Sequence, residues 1–376
     1  MNKRSFIKKA AWGSMALASL PWMVTTGKPA GKDQRNWVWM TPKKGLSPSE
    51  WKQALDHIKS LGFDAVLFEA YNSREARFET DRLPMGEPVL EILIEHGNAI
   101  GLEVHAWMFT MPCSIPEIVE NHTDWYAVNG LGQPANTHPA YVDYYKFLSP
   151  SHPEAMEFVR GTVKSLASME GLTGVHLDYI RLPDVILAEA LQPKYNLVQD
   201  REFPEYDYCY HEVTRKKFKE KTGIDPLKDL EDPSANESWR QFRQDLITDL
   251  VNNTFLPEIK KHGKEATAAV FPNWQHVRQE WRNWNLDGFF PMLYHNFYNE
   301  DMNWIGKCLK EEIADLKNNS PIYSGLFVPE LDAAEMEEAF DVSFKSGAAG
   351  IALFNYWNIQ PDHEKIIKEL TGKSKG

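Results

Sequence analysis

The sequence is poor in cysteine and in positive charge, and both shortages narrow what the protein can be. Its three cysteines, Cys113, Cys209 and Cys308, are widely spaced and match no metal-ligand pattern, so a disulfide framework is not expected, although one bridge stays open. The net charge of −12 at pH 7 argues against nucleic acid or an anionic membrane as the main partner. The basic run 215–219 is accordingly interpreted as a solvated helix face.

A dinucleotide fingerprint is also missing, because no glycine-rich turn follows the first predicted strand. Aromatic residues, by contrast, are plentiful, with 13 Trp, 14 Tyr and 19 Phe. Flat aromatic faces stack on the C–H faces of sugars, although most of these rings must serve the core. Hydrophobic content of 43% with 25% charged residues is that of a soluble globular protein.

The first 27 residues have the pattern of an export signal. A basic head that includes Lys3 and Arg4 precedes an apolar run from Ala10 to Val24, which is too short to span a bilayer comfortably. The start resembles a twin-arginine signal with Lys3 in the first arginine position; the general secretory route is the alternative. Export to the periplasm or cell surface of a bacterium is therefore expected, with a retained N-terminal anchor left open. Residues 28–35 are interpreted as a linker.

From residue 36 to 372 the pattern alternates between strands and helices. Ser47 and Glu50 predict a capping box at the first helix, and a single long helix is predicted from Glu237 to Lys261. Eight strands are predicted, at 36–40, 64–71, 103–109, 174–183, 266–271, 288–294, 322–328 and 350–356. This count favours a single α/β domain, a (β/α)8 TIM barrel with long loops after strands 3 and 4. Loops of that length in a compact domain are usually functional.

The most informative stretch is Gly174 to Pro183, an apolar run that carries His176 and Asp178 on one face. Alternation predicts that Tyr179 lies on the opposite face. In a parallel barrel Asp178 then lies at the carboxyl end of strand 4, where catalytic residues are usually found. The alternative is that Asp178 only pairs with Arg181 or caps a loop.

The other candidate site residues are polar or aromatic side chains at predicted strand ends. Two carboxylates across an aromatic groove suit cleavage of a glycosidic bond, in which one protonates the leaving oxygen and the other is nucleophile or activates water. Asp178 is the first candidate, and Glu330 or Glu69 the second. Glu330 could instead be an acid at a helix N-terminus, and Glu69 a buried orienting group. The predicted substrate-binding residues are Trp39, Tyr71, His105, Trp107, His176, Arg181, Asn273, Trp274, Tyr294, His295, Asn355 and Trp357.

Histidines raise the question of a metal. Barrel metallohydrolases usually carry a His-x-His pair on strand 1, whereas this strand carries Trp37 and Trp39. His105 and His176 are therefore interpreted as interior or sugar-contacting residues, and no metal or cofactor is expected.

The motif from Gly174 to Pro183 resembles the central motif of the bacterial glycosyl-hydrolase-like family ten, a group of exported TIM-barrel proteins. Weaker supporting matches lie at 36–40, 122–126, 147–150 and 286–294. The resemblance implies a barrel that acts on glycosidic bonds of a polysaccharide, with Asp178 in the acidic position of strand 4. Glu69 departs from the family pattern, which has a glutamine there.

The sequence thus predicts an exported glycoside hydrolase that acts on a carbohydrate by paired-carboxylate chemistry. Two alternatives stay open. One is a non-catalytic carbohydrate-binding barrel, because the fifth strand ends in Phe-Pro-Asn-Trp without an acid. The other is a metal-dependent deacetylase or amidohydrolase, which requires His105, His176 and Asp178 to meet at one ion.

Overall fold

A computed structural model describes residues 34–373, which form eight parallel strands that alternate with helices. The strands are β1 (Trp37–Met40), β2 (Ala65–Tyr71), β3 (Glu103–Phe109), β4 (Gly174–Asp178), β5 (Glu265–Val270), β6 (Gly288–Pro291), β7 (Tyr323–Phe327) and β8 (Gly350–Phe354). They pair in the order β6-β5-β4-β3-β2-β1-β8-β7, and parallel bridges Phe289–Ile322 and Met292–Gly325 join β6 to β7. The sheet closes, so the predicted (β/α)8 barrel is confirmed.

Helices surround the barrel. They are α1 (Pro48–Ser60), α2 (Leu90–Ile100), α3 (Pro116–Asn121), α4 (Pro153–Ala167), α5 (Glu212–Thr222), α6 (Glu237–Asp249), α7 (Leu256–Lys261), α8 (Met302–Asp315), α9 (Ala333–Lys345) and α10 (Pro361–Lys373). The predicted capping box is present, because Ser47 accepts from the Glu50 N–H while the Glu50 carboxylate accepts from the Ser47 N–H. None of the helices within residues 34–373 is long and apolar enough to cross a membrane. The predicted export segment, residues 1–27, lies outside the described residues.

The predicted single helix from Glu237 to Lys261 is wrong in one respect. It consists of α6 and α7 joined by a π-helical turn at Leu250–Phe255. Pro257 lies in the first turn of α7, and a proline has no N–H to continue the ladder of hydrogen bonds. The interruption therefore has a local chemical cause.

Alternation along the strands sorts side chains between two apolar layers. Val175 and Leu177 point outward into the large layer between barrel and helices. The inner layer fills the barrel and contains Trp37, Trp39, Ala65, Leu67, Trp107, Ala269, Phe290, Tyr323 and Ala352. Because these side chains fill the interior, the space for a ligand lies above them, at the carboxyl ends of the strands.

The loops above the barrel are unequal, and the predicted long loops after β3 and β4 are present. Between β3 and α4 the chain runs from 110 to 152 with only α3 and a short 3₁₀ helix, and between β4 and α5 it runs from 179 to 211. The second loop includes the 3₁₀ helix Glu189–Tyr195, which packs against the 3₁₀ helix His295–Tyr298 after β6. Loops from β3, β4 and β6 thus meet over one half of the barrel.

Candidate active site

A pocket of about 360 Å³ opens at the carboxyl ends of the strands. Its size lies in the range of small-ligand sites, and more than half of the residues that line it are aromatic. The strands contribute Trp39, Glu69, Trp107, Phe109, Asp178, Ala269, Phe327 and Phe354. The loops contribute Thr41, Tyr141, Val142, Tyr144, Tyr145, Tyr179, Arg181, Asp184, Leu187, Ala188, Leu191, Tyr195, Phe271, Met292, Tyr294, Phe297 and Tyr298.

Asp178 ends β4 and points into this pocket with 8% of its surface exposed. Its Oδ2 accepts a hydrogen bond from Trp107 Nε1 (2.9 Å), and its Oδ1 accepts from the backbone N–H of Tyr179 (2.7 Å). Burial raises the pKa of Asp178 to about 6, while these two donors and the nearby charge of Arg181 oppose the rise. The carboxyl is therefore mainly ionised at neutral pH and returns to the acid form just below it.

Tyr179 lines the pocket, which contradicts the simple alternation expected for this stretch. The strand ends at Asp178, and Tyr179 has a φ of +52°, in the left-handed region that side-chain-bearing residues seldom adopt. That conformation turns the ring back over the pocket, where it packs on Phe109 with ring centroids 4.5 Å apart. Such strain is concentrated at functional sites.

Glu69 on β2 is the second buried carboxyl of the pocket, also 8% exposed. Burial raises the pKa of Glu69 to about 7, and the negative charge of Asp178 contributes to the rise, while Asn72 and Arg77 oppose it. Through β3 the register pairs Glu69 with Trp107 and Asp178 with Phe109. The two acids thus lie on β2 and β4, the strands on either side of β3, which carries Trp107. Near neutral pH, Glu69 retains a proton more readily than Asp178, because its pKa is the higher of the two.

Arg181 also reaches the pocket, and its ion-pair partner is Asp184. Its Nη1 lies 2.9 Å from Asp184 Oδ2 and its Nη2 donates to the hydroxyl of Tyr145 (3.2 Å). The guanidinium also lies over the ring of Phe271, 4.6 Å from its centroid. The structure therefore gives Arg181 a partner of its own and leaves Asp178 to its two N–H donors.

Three of the predicted aromatic residues line the same pocket as the two acids. Trp39 lies on the floor of the pocket, Trp107 donates to Asp178, and Tyr294 is placed close enough to Asp178 that burial and that charge raise the pKa of its phenol well above the ordinary value. Together with Glu69, Asp178 and Arg181, these are the predicted site residues that the fold brings into one pocket.

Glu330 and Tyr71 lie outside the pocket. Glu330 is exposed in the short 3₁₀ helix that follows β7. Tyr71 is two residues after Glu69, so strict alternation predicts that it faces inward; the register of β2 on β3 shifts between the two residues, and Tyr71 packs in the outer apolar layer instead.

His105 and His176 lie deeper in the barrel than the pocket. His105 is fully buried beside Trp37, with ring centroids 4.8 Å apart, and its Nε2 is 3.8 Å from a carboxylate oxygen of Glu103. His176 Nδ1 bonds to Thr267 Oγ1 (2.9 Å). Burial lowers the pKa of both rings, so they are neutral interior side chains.

The remaining candidates surround the pocket without lining it. Asn273 accepts a hydrogen bond from the hydroxyl of Tyr298 (3.1 Å) and so fixes a pocket residue. Trp357 donates from Nε1 to the carbonyl of Thr41 (2.8 Å), and Asn355 accepts from the N–H of Trp357 (3.0 Å). Of the last two candidates, His295 begins the 3₁₀ helix His295–Tyr298 after β6, and Trp274 lines a separate, smaller pocket.

Sequence reasoning missed a set of tyrosines from the loops after β3, β4 and β6, which we call the tyrosine wall: Tyr141, Tyr144, Tyr145, Tyr195 and Tyr298. All five line the pocket. The high tyrosine count between 141 and 145 was the available signal, but loop residues have no periodicity from which their direction can be predicted. Among residues 34–373, no group of three or more His, Cys, Asp or Glu side chains is arranged to hold a metal ion.

No family model matches the chain, and no curated protein matches it. Solved structures with the same fold do exist. The catalytic domain of a β-amylase from Paenibacillus polymyxa is 12% identical, with a TM-score of 0.65 over 92% of this chain and 100% of that one. A β-galactosidase from the psychrophilic Marinomonas ef1 is 11% identical, with a TM-score of 0.65 over 91% of this chain and 59% of that one.

A β-galactosidase from Bacillus circulans sp. alkalophilus is similar to the same degree, at 11% identity and a TM-score of 0.63 over 91% of this chain and 56% of that one. This chain therefore spans somewhat more than half the length of the β-galactosidases that it matches. At these identities the likeness is one of fold. Fold and pocket together define a (β/α)8 barrel protein with two buried carboxyls in an aromatic pocket above the strands.

Proposed function

We propose that the protein is a glycoside hydrolase in which Glu69 and Asp178 form the catalytic pair. The observation that carries the proposal is that two buried carboxyls with raised pKa values, about 7 and about 6, share one aromatic pocket at the catalytic end of the barrel. The barrel neighbours reported above, a β-amylase and β-galactosidases, add support at the level of fold.

The two acids have different roles. Glu69, which still holds a proton near pH 7, donates it to the departing glycosidic oxygen. Asp178, ionised with its negative charge held by Trp107 and the Tyr179 N–H, faces the anomeric carbon or the water that attacks it. The bond between the sugar carbon and the bridging oxygen breaks, and the oxygen takes the proton of Glu69. Water supplies the new hydroxyl, and the proton that this water loses goes to Asp178 where Asp178 activates the water, or back to Glu69 where Asp178 attacks the anomeric carbon. Aromatic faces around the acids hold the sugar ring.

The test is release of reducing ends from a panel of bacterial cell-wall glycans and plant or host polysaccharides. We expect Asp178→Asn and Glu69→Gln each to lower kcat/KM by about 10² to 10⁴ without changing the fold, because each removes a proton-transfer or charge-stabilising group. Glu330→Gln is the matched control, since it makes the same change in an exposed acid outside the pocket and should keep full activity.

Two outcomes contradict the proposal. Full activity in Asp178→Asn excludes the assigned pair. Binding without cleavage, equal in the wild type and in both variants, indicates a carbohydrate-binding barrel instead.

Export is part of the proposal, supported by the basic head and apolar run of residues 1–27. Fusing residues 1–35 to an alkaline phosphatase that lacks its own signal tests it, because this reporter folds to an active enzyme only outside the cytoplasm. An active fusion is expected, and an inactive but intact one contradicts export by the general secretory route.

A further inference from the structure

The wall of the pocket is high on one side. From β3 round to β6, loops rise above the strand ends and supply the tyrosine wall together with Leu187, Ala188, Leu191 and Phe297. From β7 through β8 to β1, the described chain supplies only Trp39, Thr41, Phe327 and Phe354, which lie on their strands or just after the strand ends. The pocket therefore has one walled side and one low side.

Tyr141 fixes the loop after β3 to the loop after β4. Its hydroxyl donates to the carbonyl of Asp184 (2.8 Å) and accepts from Nε2 of Gln199 (2.9 Å). Its ring lies parallel to that of Tyr206, with centroids 4.7 Å apart and 4° between the planes. Tyr141 thus ties the loop after β3 to both ends of the segment 184–199 in the loop after β4. This segment forms the top of the wall.

The segment 184–199 is braced internally as well. Gln199 accepts from the N–H of Leu187 (2.8 Å) and donates its own N–H to the side chain of Gln192 (2.8 Å), which in turn donates to the carbonyl of Leu187 (2.9 Å). Both glutamine side chains are buried. Buried amides with satisfied hydrogen bonds hold one geometry, so this part of the wall is a fixed boundary of the pocket.

The charged side chains of the pocket favour a neutral sugar over an acidic one. Its acids are Glu69, Asp178 and Asp184, and its cation is Arg181, which is already paired with Asp184. No unpaired positive charge among the described residues of the pocket is therefore free to hold a uronate or another acidic sugar, and an anionic ring meets the charge of Asp178 instead.

From the wall and the charges we infer, on the basis of the proposed function, that this site takes the non-reducing end of a neutral glycan chain and removes the terminal sugar or disaccharide. A chain that is cut in its interior must leave the site on two sides, and here one side is closed. Glu69 stands on β2, next to the low side at β1, whereas Asp178 stands on β4 under the wall. Because Glu69 protonates the departing oxygen, the leaving chain extends over the low side and the terminal ring lies beneath the wall.

The test uses neutral pentasaccharides of glucose, galactose, mannose and xylose, in α and β linkages, with a fluorescent tag on the reducing end. Each is made with a free and with an acetal-capped non-reducing end. Early products of the wild type are separated by chromatography, and equilibrium binding is measured on Glu69→Gln. We expect the first tagged products to be one or two sugars shorter than the substrate. We also expect the cap to weaken binding at least tenfold.

The outcomes separate the inference from the function on which it rests. Internal cleavage from the first time points, or equal binding of capped and free chains, overturns the inference and leaves the hydrolase intact. Cap-sensitive binding with no cleavage of any substrate overturns the hydrolase and supports recognition of the chain end. No binding and no cleavage across the panel contradicts both. Tight binding of a pentagalacturonate overturns the preference for neutral chains.

A loop variant tests the role of the wall directly. Replacing residues 186–198 by a short Gly-Ser linker removes the top of the wall and keeps Gln199 and the catalytic pair. If the variant folds, internal cleavage should appear among its early products, and terminal release alone contradicts the inference. If it does not fold, the capped and free substrates on the intact protein still decide the question.

Discussion

At the scale of single residues, the carboxyl of Asp178 is held between two opposing effects. Burial favours the neutral acid, and the N–H groups of Trp107 and Tyr179 favour the anion. In the proposed mechanism, hydrolysis needs Asp178 ionised and Glu69 protonated. Their pKa values are about 6 and about 7. We expect a narrow bell-shaped dependence of kcat/KM on pH, with limbs near these two values.

Trp107→Phe tests this balance, because it keeps a ring in place and removes the N–H donor to Asp178. Loss of a hydrogen bond to a charged group destabilises the anion by roughly 1.5 to 3 kcal/mol, so the pKa of Asp178 rises by about 1 or more. This rise brings the pKa of Asp178 level with that of Glu69 or above it, so the acid limb of the profile should move up to near 7. The maximum of kcat/KM should fall as well, because the form with Asp178 ionised and Glu69 protonated becomes a minor one.

Trp39→Phe is the control for this experiment. It makes the same truncation in the same pocket, at an indole that is not hydrogen-bonded to either acid in the described structure. Its acid limb should stay near that of the wild type, whatever happens to KM. An unshifted acid limb in Trp107→Phe contradicts the role given to this donor.

How much of the pocket the sequence could predict depends on where each residue lies on its strand. Asp178, Glu69 and Trp107 follow from alternation along regular strands. Tyr71 does not, because one register shift turns it outward, and Tyr179 does not, because its positive φ turns it inward. Both are local backbone departures that leave no trace in hydrophobic periodicity.

At the scale of elements, the barrel closes where β6 meets β7. The N–H of Leu293 donates to the carbonyl of Gly325 (2.9 Å), and that of Phe289 donates to Pro321 (3.0 Å). A Cβ on Gly325 would stand 2.6 Å from the carbonyl oxygen of Pro291. Glycine thus allows the backbone of β6 to approach β7 closely enough to complete the sheet.

Gly325→Ala is therefore expected to force these two strands apart. Overpacking of this kind costs about 1 to 3 kcal/mol, and here it falls on backbone that has no free space to move into. Urea unfolding should show a lower midpoint with an unchanged slope, and amide exchange at Leu293 should accelerate. Wild-type stability together with unchanged exchange would show that the seam does not depend on this glycine.

Sequence patterns predicted strands and most helices to within a few residues, because the apolar periodicity is set by the two layers of the barrel. The C-terminal helix α10 (Pro361–Lys373) had no prediction, and the π-helical turn at Leu250–Phe255 was missed. A π turn keeps helical periodicity on both sides, so only Pro257 could have indicated it.

At the scale of the whole molecule, the sequence could predict that long loops follow β3 and β4 but not that they meet. Their contact depends on single hydrogen bonds such as that from Gln199 to Tyr141, residues that lie 58 positions apart. The asymmetric wall over the barrel is thus a tertiary property. The barrel could therefore be predicted from the sequence, whereas the proposed mode of substrate binding could be inferred only from the structure.

The catalytic pair also affects the stability of the whole molecule, and Glu69→Gln isolates this effect. Burial raises the pKa of Glu69 from 4.5 to about 7, so between these pH values the folded protein binds more protons than the unfolded chain. The free energy of unfolding therefore falls as pH rises through this window, by about 3 kcal/mol for this one group. Glutamine does not titrate. We expect Glu69→Gln to match the wild type near pH 4 and to exceed its stability at pH 8.

Urea unfolding of both proteins at several pH values between 4 and 8 measures this difference, and Glu330→Gln serves as the exposed control that should follow the wild type throughout. Asp178 adds a change of the same sign below pH 7, because its pKa is raised to about 6. Both proteins retain Asp178, so the comparison leaves the effect of Glu69 together with its coupling to the Asp178 charge. A Glu69→Gln variant that is less stable than the wild type at pH 8 would mean that the ionised carboxylate is satisfied in the fold. Its pKa would then lie too low for it to hold the proton that the leaving oxygen needs.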